Sequence, residues 1–207
     1  MRTQIDYLAD KYCFTERNES PRLRQQWQDV LEECRQTKAG PEERLRIALL
    51  NVDYVTSFEL PFRLLLTRTP QLIAALREEW DISQKNVVFN DKRFGCVYSL
   101  KASLSGVPDT FRYHLSHRIR RVVGNENTSL PYQQVAWEVK APRERLKYAL
   151  EAGLLVTALD GLFWFGSQRI AADVLRLRKA GMPVVTTTVE VHDNLTGTTR
   201  KVPAYHL

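Results

Sequence analysis

The spacing of apolar residues changes within the last third of this chain, from the period of a helix to the period of a strand. The helical part has apolar residues four and three positions apart, at Ile170, Val174 and Leu177. The strand part alternates, at Val185, Thr187, Val189 and Val191. A turn sequence at 193–197 (DNLTG) and a second strand at 200–205 follow. The segment is therefore predicted to be a helix packed on a β-hairpin.

Two shorter helices are predicted upstream, each with a recognisable boundary. A glycine just after a periodic run ends a helix because it enters the left-handed backbone region without strain, whereas Ser or Thr caps a helix start. The three predicted helices are 143–152 before Gly153, 158–165 between Thr157 and Gly166, and 167–180 with Ser167 as its cap. Three helices followed by a β-hairpin is the element order of a winged helix-turn-helix, which we predict for 143–207.

This C-terminal segment resembles a winged helix-turn-helix family common in phage, plasmid and prophage genomes. In that family an R-I-A-A-x-V-x-x-L-R-x-A-G helix precedes a two-stranded wing that ends in Y-x-L. The residues that fall in register are Arg169-Ile170-Ala171, Leu177-Arg178, Ala180-Gly181 and Tyr205-His206-Leu207. The resemblance covers about a third of the chain and implies a DNA-binding module in a mobile-element protein.

Length and composition narrow the class of protein. A chain of 207 residues has room for one large or two small domains. It has neither an apolar run long enough for a membrane span nor the apolar core of a secretion signal, so a cytoplasmic protein with no membrane contact is expected. Its three cysteines are an odd number without metal-ligand spacing, so unpaired thiols and no metal site are expected. No cofactor is expected either.

The net charge of +6 is concentrated in the middle of the chain. Residues 101–147 hold 9 Lys and Arg against 4 Asp and Glu, whereas residues 1–100 hold 15 of each. A segment with such an excess of positive charge is typical of a surface that binds nucleic acid. Residues 109–123 are predicted to be a basic amphipathic helix with Asp109 as N-cap. It is either a packing helix of a helix-turn-helix unit or a helix along a phosphate backbone, with Arg118, Arg120 and Arg121 as the candidate contacts.

A second helix-turn-helix candidate, residues 132–152, overlaps the first. The small Ala136 suits a close helix crossing, although Lys140 stands where such turns usually have glycine. Helix 143–152 is scaffold in the winged interpretation and the DNA-contacting helix in a tandem one, where Arg143 would contact DNA. We prefer the winged interpretation because Gly166 occupies its turn and a hairpin follows; the tandem arrangement is the alternative.

The N-terminal half is predicted to be a mostly helical unit, 1–103, that forms oligomers or holds a protein partner. Residues 103–108 (SLSGVP) are the expected linker, so 104–207 is the second domain. The half contains no catalytic motif, and the protein is not expected to be an enzyme. The fold class is mainly α with small β-hairpins (α+β), and the N-terminal elements are helices at 21–38, 41–52, 60–66 and 70–80 and strands at 86–90 and 94–100.

These patterns predict a DNA-binding regulator of a phage or plasmid whose partner is double-stranded DNA. Gln can pair with adenine and Arg with guanine in the major groove, and wing cations can contact phosphates. The candidate contacts are Ser167, Gln168, Arg169 and either Asp173 or Arg176 on the third helix, and Arg200 and Lys201 on the wing. In the alternative, the winged helix binds a host or defence protein complex and inhibits or redirects it, and an exposed Trp164 would be its anchor.

Overall fold

The computed structural model describes residues 4–9, 14–115, 119–123, 126–127 and 129–207. Their strands are β1 (Gln4–Ala9), β2 (Phe14–Glu16), β3 (Val55–Thr56), β4 (Ser83–Phe89), β5 (Lys92–Ser99), β6 (Thr110–Phe111), β7 (Tyr113–Leu115), β8 (Ile119–Val123), β9 (Glu126–Asn127), β10 (Val156–Thr157), β11 (Val185–Asp193) and β12 (Thr198–His206). Their helices are α1 (Pro21–Gln36), α2 (Pro41–Asn51), α3 (Leu60–Arg63), α4 (Thr69–Leu76), α5 (Leu130–Glu138), α6 (Pro142–Glu151), α7 (Ala158–Asp160), a π-helix (Gly161–Phe165) and α8 (Ile170–Lys179). The mixture is an α+β fold.

The chain divides into two compact units, residues 11–117 and residues 1–10 together with 118–207. The chain therefore divides after residues 10 and 117, whereas the sequence predicts one boundary between 103 and 104. The expected linker packs on its own unit, because Leu104 and Val107 lie against the core formed by Phe58, Val87, Val97 and Phe111. Lys85 also donates a hydrogen bond to the carbonyl of Val107 at 2.9 Å.

Unit 11–117 contains α1 to α4, a four-stranded sheet in the order β3-β5-β4-β6 and the pair β2-β7. Helix α1 begins as the sequence predicts, with Pro21 in its first turn and the Ser20 side chain accepting from the Leu23 amide. The strands predicted at 86–90 and 94–100 are confirmed as the antiparallel pair β4 and β5, and Asn90 and Asp91 form the turn between them with φ of 46° and 64°. Asn and Asp tolerate that left-handed conformation better than most residues.

The other unit contains α5 to α8 and a six-stranded sheet in the order β10-β12-β11-β1-β8-β9. The predicted hairpin is confirmed as β11 and β12, which pair antiparallel with Val189 opposite Val202. Strand β1 pairs parallel with β11 and antiparallel with β8, so the hairpin continues into a larger sheet than the sequence indicates. One core joins α5, α6, α8 and β12 through Tyr132, Leu146, Val174 and Tyr205.

The predicted basic helix at 109–123 is wrong, because its described residues form β6, β7 and β8. Phe111 and Tyr113 also alternate with a period of two, and residues 119–123 (IRRVV) are rich in β-branched side chains, which fit strands better than helices. Backbone pairing of β6 with β4, of β7 with β2 and of β8 with β1 selects the strand conformation over the helix. Of the three candidate phosphate contacts, Arg118 lies outside the described residues. The backbone of Arg120 and Arg121 belongs to β8, and the structure does not describe their side chains.

A group of ionisable side chains is buried in unit 11–117. Glu16 and Glu59 are each 1% exposed, and the Arg63 guanidinium contacts Glu19 at 2.6 Å and Glu59 at 3.9 Å. The hydroxyl of Tyr54 donates to Glu16 and that of Tyr113 to Glu59. Burial and the neighbouring Glu59 raise the pKa of Glu16 to about 7, and burial likewise raises the pKa of Glu59.

We predict that this unit loses stability as the pH rises. Glu16 takes up a proton on folding between its ordinary pKa of 4.5 and about 7, so the free energy of unfolding falls across that interval. The contribution of Glu16 is roughly 3 kcal/mol, at about 1.4 kcal/mol per pKa unit. Glu16→Gln should flatten this dependence and raise stability near pH 8, as measured by urea denaturation near pH 5 and pH 8.

The matched control is Glu78→Gln, a change of the same kind at an exposed position. It should leave the pH dependence of the wild type in place. Equal slopes in the wild type and in Glu16→Gln would contradict the assignment of the proton to this cluster.

Candidate nucleic-acid interface

Helix α8 is held on one side by the core and exposed on the others. Ile170 and Val174 are 4% and 1% exposed in the core shared with α5, α6 and β12, and Leu177 packs against it. The buried stripe predicted from the sequence is thus confirmed. The polar side chains exposed on α8 and just before it are Gln168, Arg169, Arg176, Arg178 and Lys179.

The start of α8 differs from the prediction. The helix begins at Ile170, with Arg169 in the capping position, and its cap has no side-chain hydrogen bond. Ser167 is therefore not the N-cap. Its hydroxyl instead donates to Asp173 at 2.8 Å and accepts from the Arg169 amide at 3.4 Å, which ties the preceding loop to the first turns of the helix.

The turn before α8 is built from local signals that the sequence contains. Thr157 caps the short preceding helix, and Asp160 completes a capping box by accepting from the Thr157 amide at 2.8 Å. The π-helix then ends at Gly166, whose φ of +71° is in the left-handed region. The expected turn glycine is therefore confirmed.

Asp173 gathers side chains from two helices and a loop. Besides Ser167, its carboxylate contacts the Arg176 guanidinium at 3.4 Å and that of Arg143 at 3.9 Å. The Asp173 side chain is 12% exposed, whereas Arg143 is 74% and Arg176 60% exposed. Arg143 comes from the first turn of α6, so cations predicted for two competing helix-turn-helix motifs lie on one surface.

The two wing cations have different environments. Arg200 forms an ion pair at 2.8 Å with Asp193, whose side chain is fully buried, so this guanidinium stabilises the hairpin turn. Lys201 is exposed and lies opposite Glu190 in the register of β11 and β12. Because β1 pairs with β11 at Glu190–Asp193, the outer edge of the hairpin there is already occupied.

Arg178 has a structural role that the sequence did not predict. Its guanidinium donates to the carbonyl of Val184 at 2.9 Å and to the hydroxyl of Thr186 at 2.7 Å. These bonds fix α8 to the start of β11. The only hint in the sequence is a cation near the C-terminus of the helix, where the helix dipole also favours one.

The sequence leaves two environments open for Trp164, the core or an exposed anchor for a protein partner. Trp164 is only partly exposed and packs against the core of α5, α6 and α8. Trp137 on α5 is instead 71% exposed, and Leu130 on the same helix is 56% exposed. Seven residues separate them, which places both on one face of the helix.

Comparison with protein-family models, with curated proteins and with solved structures found no significant match to this chain. The winged helix-turn-helix resemblance therefore stays a prediction. Within the described residues, no cluster of His, Cys, Asp and Glu could hold a metal ion. No helix in the described part of the chain is long and apolar enough to cross a membrane.

We predict that Gly161→Ala destabilises the unit that contains α8. A methyl group there would lie 2.5 Å from Cδ1 and 3.2 Å from Cβ of Ile170, the residue that anchors the start of α8. Overpacking of this kind costs about 1–3 kcal/mol, offset in part by the preference of about 1 kcal/mol for Ala over Gly in a helical conformation. Thermal denaturation followed by circular dichroism should show a lower midpoint, whereas Gly106→Ala, with nothing within 4 Å of the added methyl, should not. Equal midpoints for the two variants would contradict close packing at Gly161.

Proposed function

We propose that residues 142–207 form a winged helix-turn-helix that binds double-stranded DNA through α8. The order α6, β10, α7 with the π-helix, α8, β11 and β12 supports this proposal. So does the pairing of the short β10 with β12, which places the three strands in the order β10-β12-β11 beside the helices. In helix-turn-helix proteins the second helix of the motif enters the major groove and its N-terminal residues contact bases.

The observation that carries the proposal is the exposed polar surface at the start of α8. Gln168 and Arg169 are exposed there, and Arg176 and Arg143 flank them around Asp173. Gln suits adenine and Arg suits guanine in the major groove, whereas Lys201 on the hairpin is suited to a phosphate. The winged and tandem interpretations predict different base-contacting helices: α8, with Arg169 at its cap, in the winged one and α6, with Arg143 in its first turn, in the tandem one.

The biological role proposed with this module is transcription regulation in a phage or plasmid, and it rests on the family resemblance. Unit 11–117 would then set the oligomeric state or hold a protein partner.

We predict that Arg169→Ala weakens binding to a preferred duplex by about 1–3 kcal/mol and relaxes the preference at one base position, as expected for a lost guanine contact. Arg143→Ala should have a smaller effect that is similar on preferred and scrambled duplexes. Both variants are measured by fluorescence anisotropy at one fixed salt concentration, on a duplex selected by the wild type from a random pool.

Matching melting curves for wild type and variants are the control for folding. The reverse order of effects would favour the tandem interpretation, with α6 as the DNA-contacting helix. No effect of either variant would contradict direct base contact by this surface.

The exposed Trp137 favours a second candidate function, binding of a host or defence protein complex. Large aromatic side chains in such positions often dominate protein interfaces. On this hypothesis Trp137→Ala abolishes capture of a protein from nuclease-treated host lysate, whereas Arg169→Ala does not. Capture that disappears on nuclease treatment of the wild type would instead support the DNA-binding proposal.

A further inference from the structure

The surface proposed to contact DNA contains a carboxylate, that of Asp173, in contact with two of its cations. Asp173 lies in the first turns of α8, with Arg143 and Arg176 on one of its oxygens and the Ser167 hydroxyl on the other. A carboxylate facing DNA is repelled by the phosphates, so its presence there needs a physical reason.

One reason is local, because an acidic residue near a helix N-terminus interacts favourably with the helix dipole. That role would affect the stability of α8 and leave the choice of DNA sequence unchanged. The geometry gives a second reason. The carboxylate competes with phosphates for two guanidinium groups, one of which comes from α6 rather than from α8 itself.

We propose that Asp173 is a specificity-determining residue for duplex DNA, because it holds Arg143 and Arg176 and so weakens binding to unmatched sequences. This inference rests on the proposed DNA-binding function. At a preferred site, base contacts from the start of α8 compensate for the repulsion by the carboxylate. At other sites no base contacts compensate, and the phosphates must compete with Asp173 for Arg143 and Arg176.

The test is Asp173→Asn, which keeps the shape of the side chain and an oxygen that can accept from Ser167. Scrambled 25-base-pair duplexes should bind this variant on the order of three- to tenfold more tightly. The plot of log affinity against log salt should become steeper by about one to two, as expected for one or two additional phosphate contacts at about 0.9 each. The ratio of affinities for preferred and scrambled duplexes should fall.

The matched control is Glu151→Gln, which removes one negative charge from an ion pair on α6. A general charge effect would raise the affinity of both variants for scrambled duplexes equally. If Asp173 holds the two arginines, the affinity should rise clearly more for Asp173→Asn. Adding Arg143→Gln and Arg176→Gln to Asp173→Asn should return the affinity for scrambled duplexes toward the wild-type value.

A second pair of variants tests the inference without changing Asp173. Arg176→Gln and Lys179→Gln each remove one exposed cation from α8. If Asp173 holds Arg176, Arg176→Gln should lower the affinity for scrambled duplexes less than Lys179→Gln does.

The outcomes separate the inference from the function on which it rests. Wild-type protein that binds no duplex at low salt overturns both. Two results overturn the inference and leave DNA binding in place. One is an equal change in affinity for scrambled duplexes in Asp173→Asn and Glu151→Gln. The other is an equal loss of that affinity in Arg176→Gln and Lys179→Gln. A lower melting temperature for Asp173→Asn with an unchanged affinity ratio assigns the residue to the helix dipole alone.

Discussion

The position of α8 depends on the pairing of strand β12 with two partners. On one side β12 pairs with β11, its neighbour in sequence, and on the other with the short β10, where Val156 lies opposite Tyr205. The segment between β10 and β11 contains α7, the π-helix and α8. Because both ends of that segment are fixed to the same sheet, α8 is held against the core by its ends as well as by Ile170 and Val174. The polar side of the helix is then directed to solvent.

Caps, turn residues and hydrophobic periods predicted many of the individual helices and strands. They did not predict which strands pair when those strands are far apart in sequence. Gly153 and Gly166 both adopt positive φ, as their positions after helices indicate, and α1 and the C-terminal hairpin form where their periods predict. Residues 109–123 were ambiguous, because their apolar residues fit a helical stripe and their aromatic and β-branched content fits strands. Pairing with strands distant in sequence resolves that ambiguity, and a single sequence contains no direct signal for it.

Some candidate contacts are exposed as the sequence predicts, but Ser167 is buried, Arg200 is paired with Asp193 and Arg118 lies outside the described residues. The sequence indicates exposed cations on the third helix and the wing, and Gln168, Arg169 and Lys201 are exposed. It does not indicate which cations are paired. Arg200 and Asp193 meet across the hairpin, and Arg143 reaches Asp173 from another helix, so both contacts depend on tertiary structure. Only the pair Asp173 and Arg176, three residues apart on one helix, follows from spacing alone.

The parallel pairing of β1 with β11 has a consequence for the order in which the chain folds. Gln4 lies opposite Glu190 and Tyr7 opposite Asp193, so β1 is synthesised long before the strand with which it pairs in parallel. The intervening unit 11–117 has its own core and can fold on the ribosome in the meantime. Contacts between residues so far apart in sequence form slowly, since a long loop must close before they stabilise anything. Until β8 and β11 have both been synthesised, an edge of β1 is open to other strands, so β1 is a segment at which nascent chains can mispair.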